Sequence, residues 1–353
     1  MSYFRQNIEQ AEGYVPGFQP KTHDGVKLNT NENPYPPSPA VLQAIADVTP
    51  EQLRRYPDPM GEQFRTAAGR LHDLSADSIL CCNGGDDLLT IAVRACCDEL
   101  HPLAYPLPTY SLYPILAQLQ NCPVAEVPFE ESFALPGQLA QTGAALTIVC
   151  NPNAPSGSLV TTEALASLAE ALEGILLVDE AYVDFARSDC VELVRAFDNV
   201  VILRSMSKGY SLAGLRFGYA LASPQLIRGF MKIKDSYNID AVATAAATAA
   251  LEDRAYFRDT VRRITAERSR LTAALRGLGF DVPDSQSNFV LARSTSLPAE
   301  TIHVTLAERN ILVRYFDLPG LEDKLRISVG TAEENDALLA ALGELLALRT
   351  GKK

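Results

Sequence analysis

Four short apolar runs punctuate the chain between about residues 79 and 222: Ile79-Leu80-Cys81-Cys82, Leu146-Thr147-Ile148-Val149-Cys150, Ile175-Leu176-Leu177-Val178-Asp179 and Val200-Val201-Ile202-Leu203. A strand that buries one face alternates polar and apolar residues, whereas a run that is apolar throughout must be covered on both sides. Such strands, separated by helical patterns, predict an α/β fold with a mostly parallel central sheet and helices on both faces. A sheet of that kind gathers its ligand groups in the crevice beyond the carboxyl ends of its strands.

The chain has 353 residues, 47% of them hydrophobic, which is more than one core usually spans. Three parts are expected. Residues 1–28 read as an arm of little periodicity that includes Tyr14-Val15-Pro16-Gly17, packing with the small domain or a partner subunit. Residues 29–252 form the large domain, opened by the loop Asn31-Glu32-Asn33-Pro34-Tyr35-Pro36-Pro37 and a helix starting near Ser38. The Ala-rich run from Ala241 to Leu251 reads as a tightly packed internal helix. Residues 253–353 form a smaller α+β domain, with a charged helix from Arg254 to Leu278 closed by Gly277 and Gly279. Its strand candidates are Asn288–Leu291, Ile311–Arg314 and Leu325–Val329.

A net charge of −12 and a pI near 4.9 argue against nucleic-acid or anionic-membrane surfaces, which need a basic face. An anionic ligand must then be held by a few local arginines. No apolar stretch reaches spanning length, and the first residues show no apolar run after a basic region. The seven cysteines are odd in number and contain no C-x-x-C, so reduced thiols in a cytoplasmic protein are expected. His23, His72, His101 and His303 lack ligand spacing, and no metal site is expected.

Ser205-Met206-Ser207-Lys208-Gly209-Tyr210 follows the fourth apolar run, and Arg216 stands eight positions after Lys208. A lysine between small hydroxyls, with a guanidinium nearby, suits imine formation with an aldehyde cofactor whose phosphate those groups hold. Asp179 closes its strand; a carboxylate there can pair with a protonated pyridine nitrogen, or can cap a helix. Tyr182 could donate to a phenolic oxygen of the same ring. Asn83-Gly84-Gly85-Asp86-Asp87 follows a strand and opens a helix from Leu88 to Cys97, which gives either an anion site or a plain capped turn. Tyr110 offers a face for a flat ring or a place in the core. Cys150-Asn151-Pro152-Asn153-Ala154-Pro155-Ser156-Gly157 reads as a rigid loop with amides able to reach a ligand. Arg314 and Arg326 are either two-pronged carboxylate or phosphate grips or solvated surface residues.

The order of these pieces resembles the fold-type I pyridoxal-phosphate enzymes over nearly the entire chain. Within them, Leu28-Asn29-Thr30-Asn31-Glu32-Asn33-Pro34, Arg55-Tyr56-Pro57-Asp58-Pro59, Ser205-Met206-Ser207-Lys208 through Leu212-Ala213-Gly214-Leu215-Arg216, and Leu325-Arg326-Ile327-Ser328-Val329-Gly330-Thr331 resemble the histidinol-phosphate aminotransferase family, of the class-II aminotransferases. The resemblance implies pyridoxal 5'-phosphate as cofactor, with Lys208 as the imine-forming and proton-moving lysine. It implies Asp179 at the pyridine nitrogen, Tyr182 at the phenolic oxygen and Tyr110 stacked on the ring, with Gly85, Asp86, Ser205, Ser207 and Arg216 on the phosphate. Tyr56 would reach the site of a second subunit, implying a homodimer. Tyr14, Asn29, Arg314 and Arg326 would line the substrate pocket, Arg326 gripping the co-substrate carboxylate.

The family pattern N-P-N-N-P-T-G is broken here by Ala154, where an asparagine would bond the phenolic oxygen. Asn153, a water, or Tyr182 alone takes over that bond. The implied reaction exchanges an amino group between histidinol phosphate and 2-oxoglutarate in histidine biosynthesis. Three other readings share the pattern: an aromatic or branched aminotransferase, a threonine-phosphate decarboxylase, and the ligand domain of a transcription regulator. The acidic chain, with no room for a DNA-binding module, disfavours the last.

Overall fold

The computed structural model describes residues 3–14, 17–20, 25–130 and 133–350; Val15, Pro16 and His23 lie outside the described residues. In chain order the strands are β1 (Val26–Leu28), β2 (Ile79–Cys82), β3 (Leu103–Leu107), β4 (Val124–Pro128), β5 (Leu146–Cys150), β6 (Ile175–Asp179), β7 (Val200–Ser205), β8 (Gly218–Ala222), β9 (Phe289–Arg293), β10 (Ile311–Tyr315) and β11 (Lys324–Ser328). β2 to β8 make one sheet in the order β2-β8-β7-β6-β5-β3-β4, and β1, β10, β11 and β9 make a second. The first is parallel except for β8, which runs antiparallel to both β2 and β7.

The apolar runs have the burial expected of them. β5 is buried at every position, as is β6 from Leu176 onwards, because successive side chains enter opposite cores. Leu176, Val178 and Ile202 join one core with Phe64 and Phe217, while Leu177, Val201 and Leu203 join the other with Tyr105 and Tyr113. β4, at the sheet edge, is never fully buried and alternates between exposed and half-buried residues. A third core lies between the small sheet and the helices Arg254–Gly277, Ala299–Glu308 and Ala332–Thr350.

Ser38 caps the helix Pro39–Ala46, its Oγ accepting from Ala40 N at 3.1 Å. The same hydroxyl donates to Asp253, which in turn caps the long helix Arg254–Gly277. Gly279, at φ +88°, takes the left-handed turn that ends that helix.

Three features differ from the sequence reading. The end of the arm is not featureless: residues 26–28 form β1, parallel to β10, with Val26 opposite Ile311. β3, which was not among the expected strands, contains Pro106, a residue that cannot donate to a ladder. It is tolerated because β5 pairs only with Leu103 and Ala104, so that edge has no ladder partner at Pro106. The helix expected from Leu88 begins at Gly85, so the two glycine-flanked acids belong to its first turn.

Phe64 is fully buried with its ring 4.6 Å from that of Phe217 and 5.1 Å from that of Tyr219. Phe64→Ala is expected to cost about 3–5 kcal/mol, seen as a lower urea midpoint at unchanged slope.

Candidate active site

Parallel pairing brings the ends of β5, β6 and β7 to one rim: Cys150 lies opposite Asp179, and Asp179 opposite Leu203. Lys208 stands just past the end of β7, its Nζ donating to the Thr30 carbonyl at 3.3 Å and lying 5.6 Å from the centre of the Tyr182 ring. Burial, with Arg326 and Arg216 nearby, lowers its pKa to about 8, although Glu32 and Asp86 pull the other way. The loop 29–33 folds over the lysine. Asn33 Nδ2 donates to the carbonyls of Lys208 and Gly209 at 3.1 and 3.2 Å. Asn31 Nδ2 donates to the Tyr182 hydroxyl at 3.1 Å.

An anion cradle forms beside the lysine. Gly84, at φ +84°, turns the chain from β2 into the helix Gly85–Cys96, whose N-terminus carries no side-chain cap. A Cβ at Gly84 would sit 2.6 Å from Arg216 Nη2. Arg216 donates to Ser207 Oγ at 3.4 Å and to Asp86 Oδ2 at 3.3 Å, and Ser207 N donates to Ser205 Oγ at 3.2 Å. Gly218, opposite Cys82, keeps this approach open, since a Cβ there would lie 2.8 Å from the Gly84 carbonyl carbon. Helix N–H groups, two hydroxyls and a guanidinium therefore converge on one point, which suits a phosphate.

Asp179 is buried, and this raises its pKa to about 6; the Tyr113 hydroxyl donates to it at 2.7 Å and Ala181 N at 3.1 Å. Its neighbour Glu180 points to the other face and pairs with Arg204 at 2.7 Å. Tyr110 is half-buried, edge-on to Tyr14 at 6.1 Å and to Tyr113 at 5.7 Å, and its hydroxyl donates to Asp86 at 3.4 Å. Asn153 does not supply a free amide in the way the sequence suggested. Its Nδ2 is spent on Pro108 O at 3.0 Å and Ser156 Oγ at 2.9 Å, and its Oδ1 accepts from Thr109. The amide beside the Tyr182 hydroxyl comes instead from Asn31.

Register on the small sheet sets Arg314 opposite Arg326. Arg326 Nη2 donates to Asn29 O at 3.0 Å, while its Nε is buried with no hydrogen-bond partner among the described residues. Phe289 and Phe316 flank it at 5.3 and 5.4 Å. Asn29 is buried, its Nδ2 donating to Phe18 O at 2.8 Å. Tyr56 stands apart from this group, exposed and stacked on Tyr237 at 4.4 Å.

Residues 23–342 match the family model for aminotransferase class I and II. The chain is a member of the class I and II aminotransferases. It is 48% identical over 350 residues to histidinol-phosphate aminotransferase 1 of Nostoc sp., covering 99% of both chains. It is 47% identical over 347 residues to histidinol-phosphate aminotransferase 1 of Trichormus variabilis, covering 98% of this chain and 99% of that one. The solved histidinol-phosphate aminotransferase of Sinorhizobium meliloti, in complex with pyridoxal-5'-phosphate, aligns with a TM-score of 0.89 at 26% identity over 99% of each chain.

For this aminotransferase, sequence reading alone missed Thr30, Asn31, Asn33 and Tyr113. The first three sit in a motif that was visible but assigned no duty beyond Asn29. Tyr113, three residues after Tyr110 and so on the same face of the chain's next helical turn, gave no signal of its own.

The lowered Lys208 pKa makes a stability statement. Between about pH 8 and the ordinary lysine value of 10.5, the unfolded chain binds this proton and the folded chain does not. Stability from this group therefore rises with pH across that window. In cofactor-stripped protein, the urea stability of wild type relative to Lys208→Met is expected to increase from pH 8 to 10.5; a pH-independent difference would contradict it.

Proposed function

We propose that this aminotransferase interconverts histidinol phosphate and 2-oxoglutarate with imidazole-acetol phosphate and glutamate, a step of histidine biosynthesis, using pyridoxal 5'-phosphate. The observation that carries the reading is the 48% identity across 350 residues with an enzyme of that name.

The residues fit the cofactor. Gly84 leaves space beside Arg216 that a Cβ would fill, at the mouth of an uncapped helix. When bound, pyridoxal phosphate supplies an aldehyde carbon and an electron-withdrawing ring that makes the substrate α-hydrogen acidic. Gly85, Asp86, Ser205, Ser207 and Arg216 would hold its phosphate, Asp179 its ring nitrogen, Tyr182 its phenolic oxygen and Tyr110 its face.

Each group's state at neutral pH suits its task. With a pKa of about 6, Asp179 is mostly ionised at pH 7 and can pair with a protonated nitrogen. With a pKa of about 8, Lys208 has an appreciable neutral fraction and can take a proton at Nζ. Arg326, whose Nε has no partner among the described residues, and Arg314 opposite it would grip the carboxylate or phosphate of the substrate, beside Tyr14 and Asn29.

Tyr56, exposed with Leu42, Leu53 and Tyr237, supports a homodimer in which its hydroxyl reaches the second subunit's cofactor. No helix among the described residues is long and apolar enough to cross a membrane. Seven free thiols support a cytoplasmic location.

Lys208→Ala is expected to abolish the cofactor's imine absorbance and lower turnover by at least about 10²–10⁴-fold; a full visible band in the variant would sink the assignment. Arg326→Gln is expected to raise KM for glutamate about 10- to 150-fold, from the loss of about 1.5–3 kcal/mol of charge-assisted bonding. Half-reaction spectra with histidinol phosphate, phenylalanine and threonine phosphate test the substrate. Faster conversion by phenylalanine, or CO₂ release from threonine phosphate, would replace the reading.

A further inference from the structure

Like charges set directly across an antiparallel strand pair repel, and Arg314 faces Arg326 in that way. Burial lowers the pKa of Arg326, and the charge of Arg314 lowers it further. Among the described residues no carboxylate pairs with either guanidinium. Arg326 Nη2 has only the Asn29 carbonyl at 3.0 Å, and its Nε has no partner.

Aromatic rings stand where counter-ions would be expected. Leu291 lies opposite Arg326, which makes Phe289 a diagonal neighbour on the same face of the sheet, and Arg326 Cζ lies 5.3 Å from the centre of that ring. Phe289 is fully buried and edge-on to Tyr182 at 5.1 Å, so it is packed from both sides. Phe316 is placed differently. It stands two residues after Arg314, just past the end of β10, and is half-buried. Arg314 Cζ lies 5.3 Å and Arg326 Cζ 5.4 Å from the centre of its ring. One ring therefore serves two cations that repel each other.

We infer that Phe316 is a positioning residue for substrate binding, holding Arg314 and Arg326 together so that both meet one anionic group. The inference rests on the reading of these two arginines as the substrate grip. The electron-rich face of a ring attracts a guanidinium without taking its N–H groups as hydrogen-bond partners. A carboxylate in the same place would occupy those donors, and an incoming anion would have to displace it. With the ring there the donors stay free, as the Nε of Arg326 shows. The two uncompensated charges then favour an anion over a neutral ligand. Without the ring, each guanidinium moves away from the other, and binding must overcome the entropy of ordering them.

Phe316→Leu keeps the apolar bulk and removes the ring, whereas Phe316→Tyr keeps the ring. 2-Oxoglutarate added to full-length holoenzyme with no amino donor present cannot react, so calorimetry reads its binding alone. Phe316→Leu is expected to raise that Kd about 5- to 30-fold, and Phe316→Tyr to stay within about twofold of wild type. In single-turnover half-reactions, Phe316→Leu is expected to raise the half-saturating concentrations of glutamate and histidinol phosphate by a similar factor at an unchanged limiting rate. Histidinol, the same amine without its phosphate, is expected to react equally with wild type and variant. Combined with Arg314→Gln, Phe316→Leu is expected to cost less than it does alone. An unchanged Kd in Phe316→Leu, an equal loss with histidinol, or strict additivity with Arg314→Gln would overturn the inference. Failure of the wild type to convert histidinol phosphate would count against the proposed substrate instead, and the 2-oxoglutarate comparison would still decide the role of Phe316.

Discussion

A lysine amine removed from water next to two guanidiniums is the constraint around which the rest of the site is arranged. Desolvation disfavours the ammonium, and Arg326 and Arg216 disfavour it further; Glu32 and Asp86 offset part of that cost. The balance leaves Nζ able to carry a proton or to lack one near neutral pH. Such a poise needs a lysine that cannot swing out to solvent. Asn33 supplies the restraint by holding the carbonyls of Lys208 and Gly209, and Thr30 supplies an acceptor that does not neutralise the charge.

Asp179 meets the opposite requirement. Burial alone would favour a neutral carboxyl, which could not stabilise a cationic ring nitrogen. The Tyr113 hydroxyl and the Ala181 N–H both donate to it and lower its pKa, so that the group settles near 6 rather than higher. Tyr113 is itself fully buried among Tyr105, Tyr110 and the strand β5. The tyrosine proposed to stack on the ring and the tyrosine that donates to Asp179 are thus delivered by one short stretch, residues 110–113.

What could be read in advance follows from how local each signal is. β2, β5 and β6 were legible to the residue because burial on both faces forces continuous apolar runs. Lys208, Asp179 and Arg216 stood out as candidates because the chemistry proposed for them demands particular residue types at or just past the ends of those runs. β1 and β8 were not, since a three-residue edge strand and a strand opened by glycine carry little pattern, and their pairing is decided by distant partners. Asn153 shows how little residue type says by itself. Its type suits a ligand amide, but only the folded loop shows Pro108 and Ser156 already taking its protons. The amide that does meet the Tyr182 hydroxyl, Asn31, comes from more than a hundred residues away, a contact that no local reading of residues 150–157 contains.

The short strand β1 also explains how the two halves of the pocket are kept in step. Its pairing with β10 fixes Leu28 opposite Val313, so Asn29, Thr30 and Asn31 leave the small sheet at a set height. Asn29 O then receives Arg326, Thr30 O receives Lys208, and the Asn31 side chain is held by Ser328 while reaching Tyr182. Three consecutive residues therefore touch Arg326, Lys208 and the Tyr182 hydroxyl. An anion held at Arg326, whose Nε has no partner among the described residues, would weaken the repulsion felt at Lys208. Arg326 and Lys208 thus hydrogen-bond to adjacent carbonyls of one segment of backbone.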